Sequence, residues 1–268
     1  MSARAHERWA AFLKQIADRH KLVSDEAEQG ARAALAECGY DPTPVASAWG
    51  AVTHRLQELE RRIIDTWNEK VGDTFQAEGY DQATWDSERR KGEDLAFALE
   101  NARQALEMRV LANGAREMFG RALATQKERL CPRCGAQLAI PFTHRAINVT
   151  CAHCNSVGTF EPGALLRTVV AFAEHPVSWE AAQQEWLAMR IAERRIRDTR
   201  SPAPLALLKD YERAQIAYWF RYIGTRVHFA PELRDVAHEV RSRMDGWYRM
   251  SAEHEQEWVR AGRPREVF

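Results

Sequence analysis

Between Thr43 and Phe75, apolar residues recur at Val45, Trp49, Val52, Leu56, Leu59, Ile63, Trp67, Val71 and Phe75. Every step is three or four residues. That spacing puts them on one stripe of a helix and excludes a strand, whose period is two. A helix of this length spans roughly 50 Å. Its stripe begins with heptad character, the pattern of a coiled coil, and ends in steps of four that drift toward a straight helix. Such a stripe needs at least one further helix to cover it, so the segment predicts a helical hairpin or bundle.

The flanking sequence supplies the partners. Trp9, Phe12, Leu13 and Ile16 share one face of a helix from about Arg4 to Leu22. Ser24 and Asp25, with Glu28 three residues on, read as an N-cap that opens a separate short helix ending near Gly39. Thr43 reads as the N-cap of the long helix, with Pro44 at its first helical position. Gly79 ends it, and Asp81 caps the next helix, which runs to about Arg129 along Leu95, Leu99, Leu106 and Val110. Gly92, Gly114 and Gly120 each weaken that helix by about 1 kcal/mol relative to alanine, so a break or kink is expected. The short connection predicts antiparallel packing of the two long helices.

Past residue 160, Pro162 opens a helix that Pro176 is expected to break, and Ser178 is expected to cap the next. That next helix ends in the basic run Arg194 to Arg200. Ser201-Pro202-Ala203-Pro204 reads as a linker. Two more helices follow, about 205–223 and 231–261, with Gly224 and Gly262 as stops.

Four of the five cysteines stand in two Cys-x-x-Cys pairs, Cys131/Cys134 and Cys151/Cys154. Two intervening residues let a tight turn aim both sulfurs at one ion. Gly135 and Asn155 follow the second cysteine of each pair, and both residue types tolerate the left-handed backbone such a turn needs. Four thiolates complete a tetrahedral site, with zinc favoured over iron. Disulfide frameworks belong to small secreted chains, which this is not. A redox Cys-x-x-Cys would open a helix, whereas Gln137 to Ile140 and Ala146 to Thr150 alternate in the manner of strands. Because four protein thiolates leave no open position, the ion is expected to be structural, one per chain. His144 and His153 read as exposed polar positions and not as ligands.

The order knuckle, strand, strand, knuckle, strand over residues 131–160 resembles the zinc-ribbon family. The resemblance implies a small β module with Pro141 to Arg145 as its connecting turn. It implies no activity, because ribbons serve many unrelated functions. The expected organisation is an N-terminal helical region with a long antiparallel hairpin (1–130), a zinc ribbon (131–160) and an aromatic-rich helical region (161–268). The fold class is mainly α, with helical bundle regions flanking a small β ribbon.

Composition narrows the function classes. Basic and acidic residues balance at 38 each, so the chain as a whole lacks the basic excess usual in nucleic-acid binders. No apolar run is long enough for a membrane span, and the charged N-terminus lacks a secretory block, so a cytoplasmic location is the expectation. No nucleophile elbow, P-loop or zinc-protease motif occurs. Asp235 and His238, with Glu232 and Glu239, read as a solvated helix face, since His254 lacks the acidic partner that a di-iron bundle needs. Cys38 reads as a buried, inert thiol. Tyr211, Tyr218, Trp219, Phe220, Tyr222, Phe229, Trp247, Tyr248 and Trp258 crowd the last helices as core or as an interface. These features favour a non-enzymatic zinc-binding scaffold or adaptor that binds protein partners or itself. A nucleic-acid-associated factor using the ribbon and residues 194–200 is the alternative, and an enzyme with scattered site residues is the third reading.

Overall fold

The structure, a computed structural model, describes residues 3–39, 41, 43–124, 129–140, 144–199, 203–230, 233, 235–260 and 262. The fold is mainly α with a small two-stranded sheet. The chain divides into two compact units, 1–114 and 115–268.

The first unit is a three-helix bundle. Helix α1 spans Ala3–Glu37 without interruption. The expected break at Ser24-Asp25 does not occur: Asp25 pairs with Lys21 one turn earlier, and the buried stripe Trp9, Ile16, His20, Val23, Ala31 and Leu35 runs straight past both residues. A histidine in that stripe disguises its continuity. Helix α2 (Thr43–Thr66) begins where Asp41 Oδ1 accepts the Thr43 N–H at 2.9 Å, so the cap is Asp41 and not Thr43.

The expected continuous helix to Phe75 is instead α2, a π-helical turn at Trp67–Val71 and helix α3 (Gly72–Ala77). The sequence pattern explains the turn. Each step of four overshoots an α-helical turn by about 40°. After Leu59, Ile63, Trp67, Val71 and Phe75, the accumulated drift would carry Phe75 out of the core. The wider π-turn takes in an extra residue and restores the phase. Trp67 and Phe75 accordingly sit in one core cluster with Trp9, Ile16 and Ile63.

Gly79 takes φ 77° and ends α3, and Asp81 Oδ1 accepts the Thr84 N–H at 2.7 Å. Helix α4 then runs unbroken over Gln82–Ala124, so the break expected at its glycines is absent. Two of those glycines are positions of close approach. A Cβ on Gly92 would lie 2.7 Å from Trp9 Cζ2, and one on Gly114 would lie 2.9 Å from Leu35 Cδ2. Helices α1 and α4 run parallel, with α2 antiparallel to both, as the contacts at both ends require. Trp9 Nε1 donates to Glu88 O at one end, and Ala31, Leu35, Val45, Trp49, Leu106 and Val110 cluster at the other. Between the two apolar clusters lies a polar layer: Arg103 Nε donates to Glu60 Oε1 at 2.8 Å, and His20 Nε2 lies 3.5 Å from the same oxygen.

The second unit gathers the end of α4, the cysteine block and helices α5 (Ala164–Ala181), α6 (Gln183–Arg197), α7 (Leu205–Arg226) and α8 (Val236–Arg260). Helix α7 packs against α5, α6 and α8. Pro176 lies inside α5 and does not break it; its flanking residues Ala173 and Trp179 are buried and hold the helix through the missing N–H. Ser178 is fully buried inside α5 and caps nothing, and the real interruption is at Ala182. Arg221 Nε closes that gap by donating to Ala181 O at 3.2 Å. Gly224 is internal to α7, while Gly262 adopts φ 68° at the end of α8. Trp247 is buried and meets Tyr211 edge to face, and Trp219 is half-buried beneath Arg243. The side chains of Trp258 and His254, and residues Glu232 and Arg200, lie outside the described residues.

Candidate metal centre

The two knuckles share one backbone design. In the first, the Gly135 N–H donates to Cys131 O at 2.8 Å and the Cys131 N–H donates to Ala136 O at 2.8 Å. In the second, the Asn155 N–H donates to Cys151 O and the Cys151 N–H to Ser156 O, both at 2.9 Å. Gly135 (φ 72°) and Asn155 (φ 58°) are left-handed, as expected from their positions after each second cysteine. Each knuckle is held at its base by an antiparallel pairing of equivalent residues, Leu130 with Gln137 and Thr150 with Val157.

Of the three expected strands, the second and third form and the first does not. Strand β1 (Ile147–Thr150) pairs with β2 (Val157–Phe160) around the second knuckle. Gln137 to Ile140 forms a single bridge and no strand. Local alternation showed that these segments could be extended but could not choose their partners; the tight turn at Cys151 to Cys154 sets β1 beside β2. Residues 141–143 of the expected connecting turn lie outside the described residues. Arg129 stacks on the Phe160 ring, 5.4 Å from its centre, and so ties the base of the first knuckle to the end of β2.

The four sulfurs converge. All lie within 4.8 Å of one another. Cys131 Sγ is 3.6 Å from Cys154 Sγ, and Cys134 Sγ is 3.7 Å from Cys151 Sγ. A tetrahedron with metal–sulfur bonds of about 2.3 Å has edges of about 3.8 Å, so the set fits a zinc ion. Both close pairs cross from one knuckle to the other, so neither knuckle forms the site alone.

Without a cation, four sulfurs this close cannot all ionise. The Ser156 hydroxyl, then the N–H groups of Arg133 and Cys134, pull Cys131 down to about 6. The hydroxyl and N–H of Ser156 also lower Cys154. Cys134 goes the other way: the Ala136 N–H favours its thiolate, but the neighbouring sulfurs Cys154, Cys131 and Cys151 outweigh it and push the thiol up to about 12. A divalent ion at the centre would ease this conflict by offsetting two of the four negative charges. Access is uneven too: Cys131 and Cys151 are buried, Cys154 is half-buried and Cys134 is exposed.

Ser156 is the residue that sequence reading missed. Its Oγ lies 3.0 Å from Cys154 Sγ and 3.3 Å from Cys131 Sγ. The only signal was its place two residues after Cys154, where the first knuckle has Ala136. His153 and Arg133 are exposed, and neither they nor His144 join the sulfur cluster.

The remaining candidates disperse. Asp235 Oδ1 accepts the His238 N–H at 2.9 Å, which makes it the cap of α8. In the basic run, Arg194 pairs with Asp198. Cys38, expected to be buried, is exposed just past the end of α1. No described helix is long and apolar enough to cross a membrane. No protein-family model, no curated protein and no solved structure matches this chain.

Proposed function

We propose that this chain is a non-enzymatic helical scaffold or adaptor, built around one structural zinc ion in a ribbon-like module and acting by binding protein partners or a second copy of itself. The observation that carries the zinc reading is the four-sulfur set with tetrahedral edges. Four protein ligands fill the coordination sphere, which suits an ion that holds the fold and leaves no position for substrate. The binding role is supported by large apolar side chains left exposed on the last two helices: Phe220 on α7, and Tyr248, Met250 and Val259 on α8. Aromatic residues and methionine are enriched in interface cores.

Two measurements test this reading. Elemental analysis of the purified chain is expected to give one zinc and little iron. For the binding role, Tyr248→Ser combined with Met250→Ser should weaken self-association or partner capture with a stability change of about 0.5 kcal/mol or less, as for ordinary surface positions. Trp247→Ala, at a buried site, should instead cost about 3–5 kcal/mol of folding stability. A zinc-loaded chain that stays monomeric in light scattering and captures no protein overturns the adaptor role. A chain without metal and with four freely alkylated cluster thiols overturns the zinc centre.

A further inference from the structure

We propose that Ser156 is a positioning residue that makes the two halves of the metal centre unequal, so that Cys134 is the ligand through which a thiol-reactive electrophile first opens the site. The inference rests on the zinc reading above and concerns how that site is lost.

The two turn hydrogen bonds of one knuckle match those of the other, while the side chains beside the sulfurs differ. At the matched position two residues after the second cysteine, one knuckle has Ala136 and the other Ser156. The Ser156 hydroxyl sits between Cys154, in its own knuckle, and Cys131, in the other. Those two sulfurs are one of the close cross-knuckle pairs. The matching position beside Cys134 and Cys151 holds an alanine, which offers no hydroxyl. When all four sulfurs are metal-bound thiolates they carry no proton, so the hydroxyl must be the donor. A donated hydrogen bond withdraws charge from sulfur and fixes its orientation toward the ion.

Reactivity of a thiolate follows its charge and its access. The single Ser156 proton is shared between Cys154, at 3.0 Å, and Cys131, at 3.3 Å, and Cys131 is also buried. Cys151 receives no hydroxyl but is only 1% exposed. Among the described residues, Cys134 is the one ligand of the four that is exposed and has no hydroxyl hydrogen-bonded to it. With N-ethylmaleimide as probe, Cys134 Sγ adds to one alkene carbon. The new C–S bond forms as the metal–sulfur bond breaks, and the other alkene carbon takes a proton from water. No oxidant is consumed. The thioether left behind is a weak ligand, and the ion departs.

The test uses the zinc-loaded full chain in a Cys38→Ser background, because exposed Cys38 would otherwise consume the reagent. Substoichiometric N-ethylmaleimide is followed by peptide mass mapping, with zinc release read by a chromogenic chelator. The first adduct is expected at Cys134, with zinc release in step with it. Ser156→Ala should weaken zinc binding by about 10–100-fold, shift the thiolate-to-metal bands of the cobalt-loaded form, and bring Cys154 into the early adducts. Ser156→Thr, which keeps the hydroxyl, should restore all three readouts. Ala136→Ser places a hydroxyl between Cys134 and Cys151 and should slow labelling at Cys134; it serves equally if Ser156→Ala fails to fold. First adducts at another cluster cysteine, or variants at 136 and 156 that match the wild type, overturn the proposal. Failure of the wild type to bind either zinc or cobalt overturns the zinc reading itself.

Discussion

The three-helix bundle and the paired knuckles meet the same demand, a fixed arrangement of buried groups, by opposite means. In the bundle, two apolar clusters bracket the Glu60–Arg103–His20 layer, and burial is spread over three long helices. In the knuckles, few side chains are buried at all: Cys131, Cys151 and Val149 are, while Leu130 and Val157 are 59% and 66% exposed. Hydrophobic burial can hold the first and cannot hold the second. Loss of one ion and loss of one core contact should therefore act on different parts of the chain.

The largest effect should come from the ion. Structural zinc contributes roughly 10–16 kcal/mol of apparent folding free energy in small domains. Chelation, or Cys134→Ser, is expected to remove hydrogen-exchange protection from residues 129–160 while α1 and α2 keep theirs. Collapse of protection throughout α1 and α2 on chelation would erase the contrast.

A smaller effect is expected from the polar layer. Arg103→Met leaves Glu60 buried without its partner and should cost about 3–5 kcal/mol, whereas converting both Glu60 and Arg103 to methionine should cost much less. Burial opposes the charge on Glu60, but the neighbouring His20 ring and the hydrogen-bonded Arg103 guanidinium prevail and hold it below its ordinary value of 4.5. Its contribution is therefore present above about pH 4.5 and is lost as pH falls through the lower folded value. Denaturation midpoints measured from pH 7 to pH 3 should show this acid loss in the wild type and less of it in the double variant.

The smallest effect separates two glycines of one helix. Gly92→Ala forces a Cβ against Trp9 and should destabilise by about 1–3 kcal/mol, less what helix propensity returns. Gly120→Ala meets nothing within 4 Å and should stabilise by up to about 1 kcal/mol. Equal melting shifts for the two would show that Trp9 moves aside freely.

What was legible in the sequence follows the same division. The cysteine spacing, the left-handed residues Gly135 and Asn155, the stop at Gly79 and the cap at Asp81 are local chemistry, and each is where the sequence put it. The mainly α fold with a small β element follows from the stripes. Illegible were features decided by distant partners. Ser24-Asp25, Pro176 and Ser178 carry strong local stop or start signals, yet burial of their helices overrides all three. The pairing of β1 with β2, and the reach of Ser156 across to Cys131, depend on the folded position of the knuckles, which spacing alone does not encode.

The π-turn at Trp67–Val71 acts as a vernier on the helix that contains it. Residues before it keep one angular phase and residues after it keep another, displaced by about the 100° that one residue occupies in an α-helix. A heptad register counted from Val45 therefore names the wrong face once it passes Val71. Phe75 is fully buried, although a straight count would turn it away from the core. Any redesign of this helix must be written in two registers, one ending at Thr66 and one beginning at Gly72.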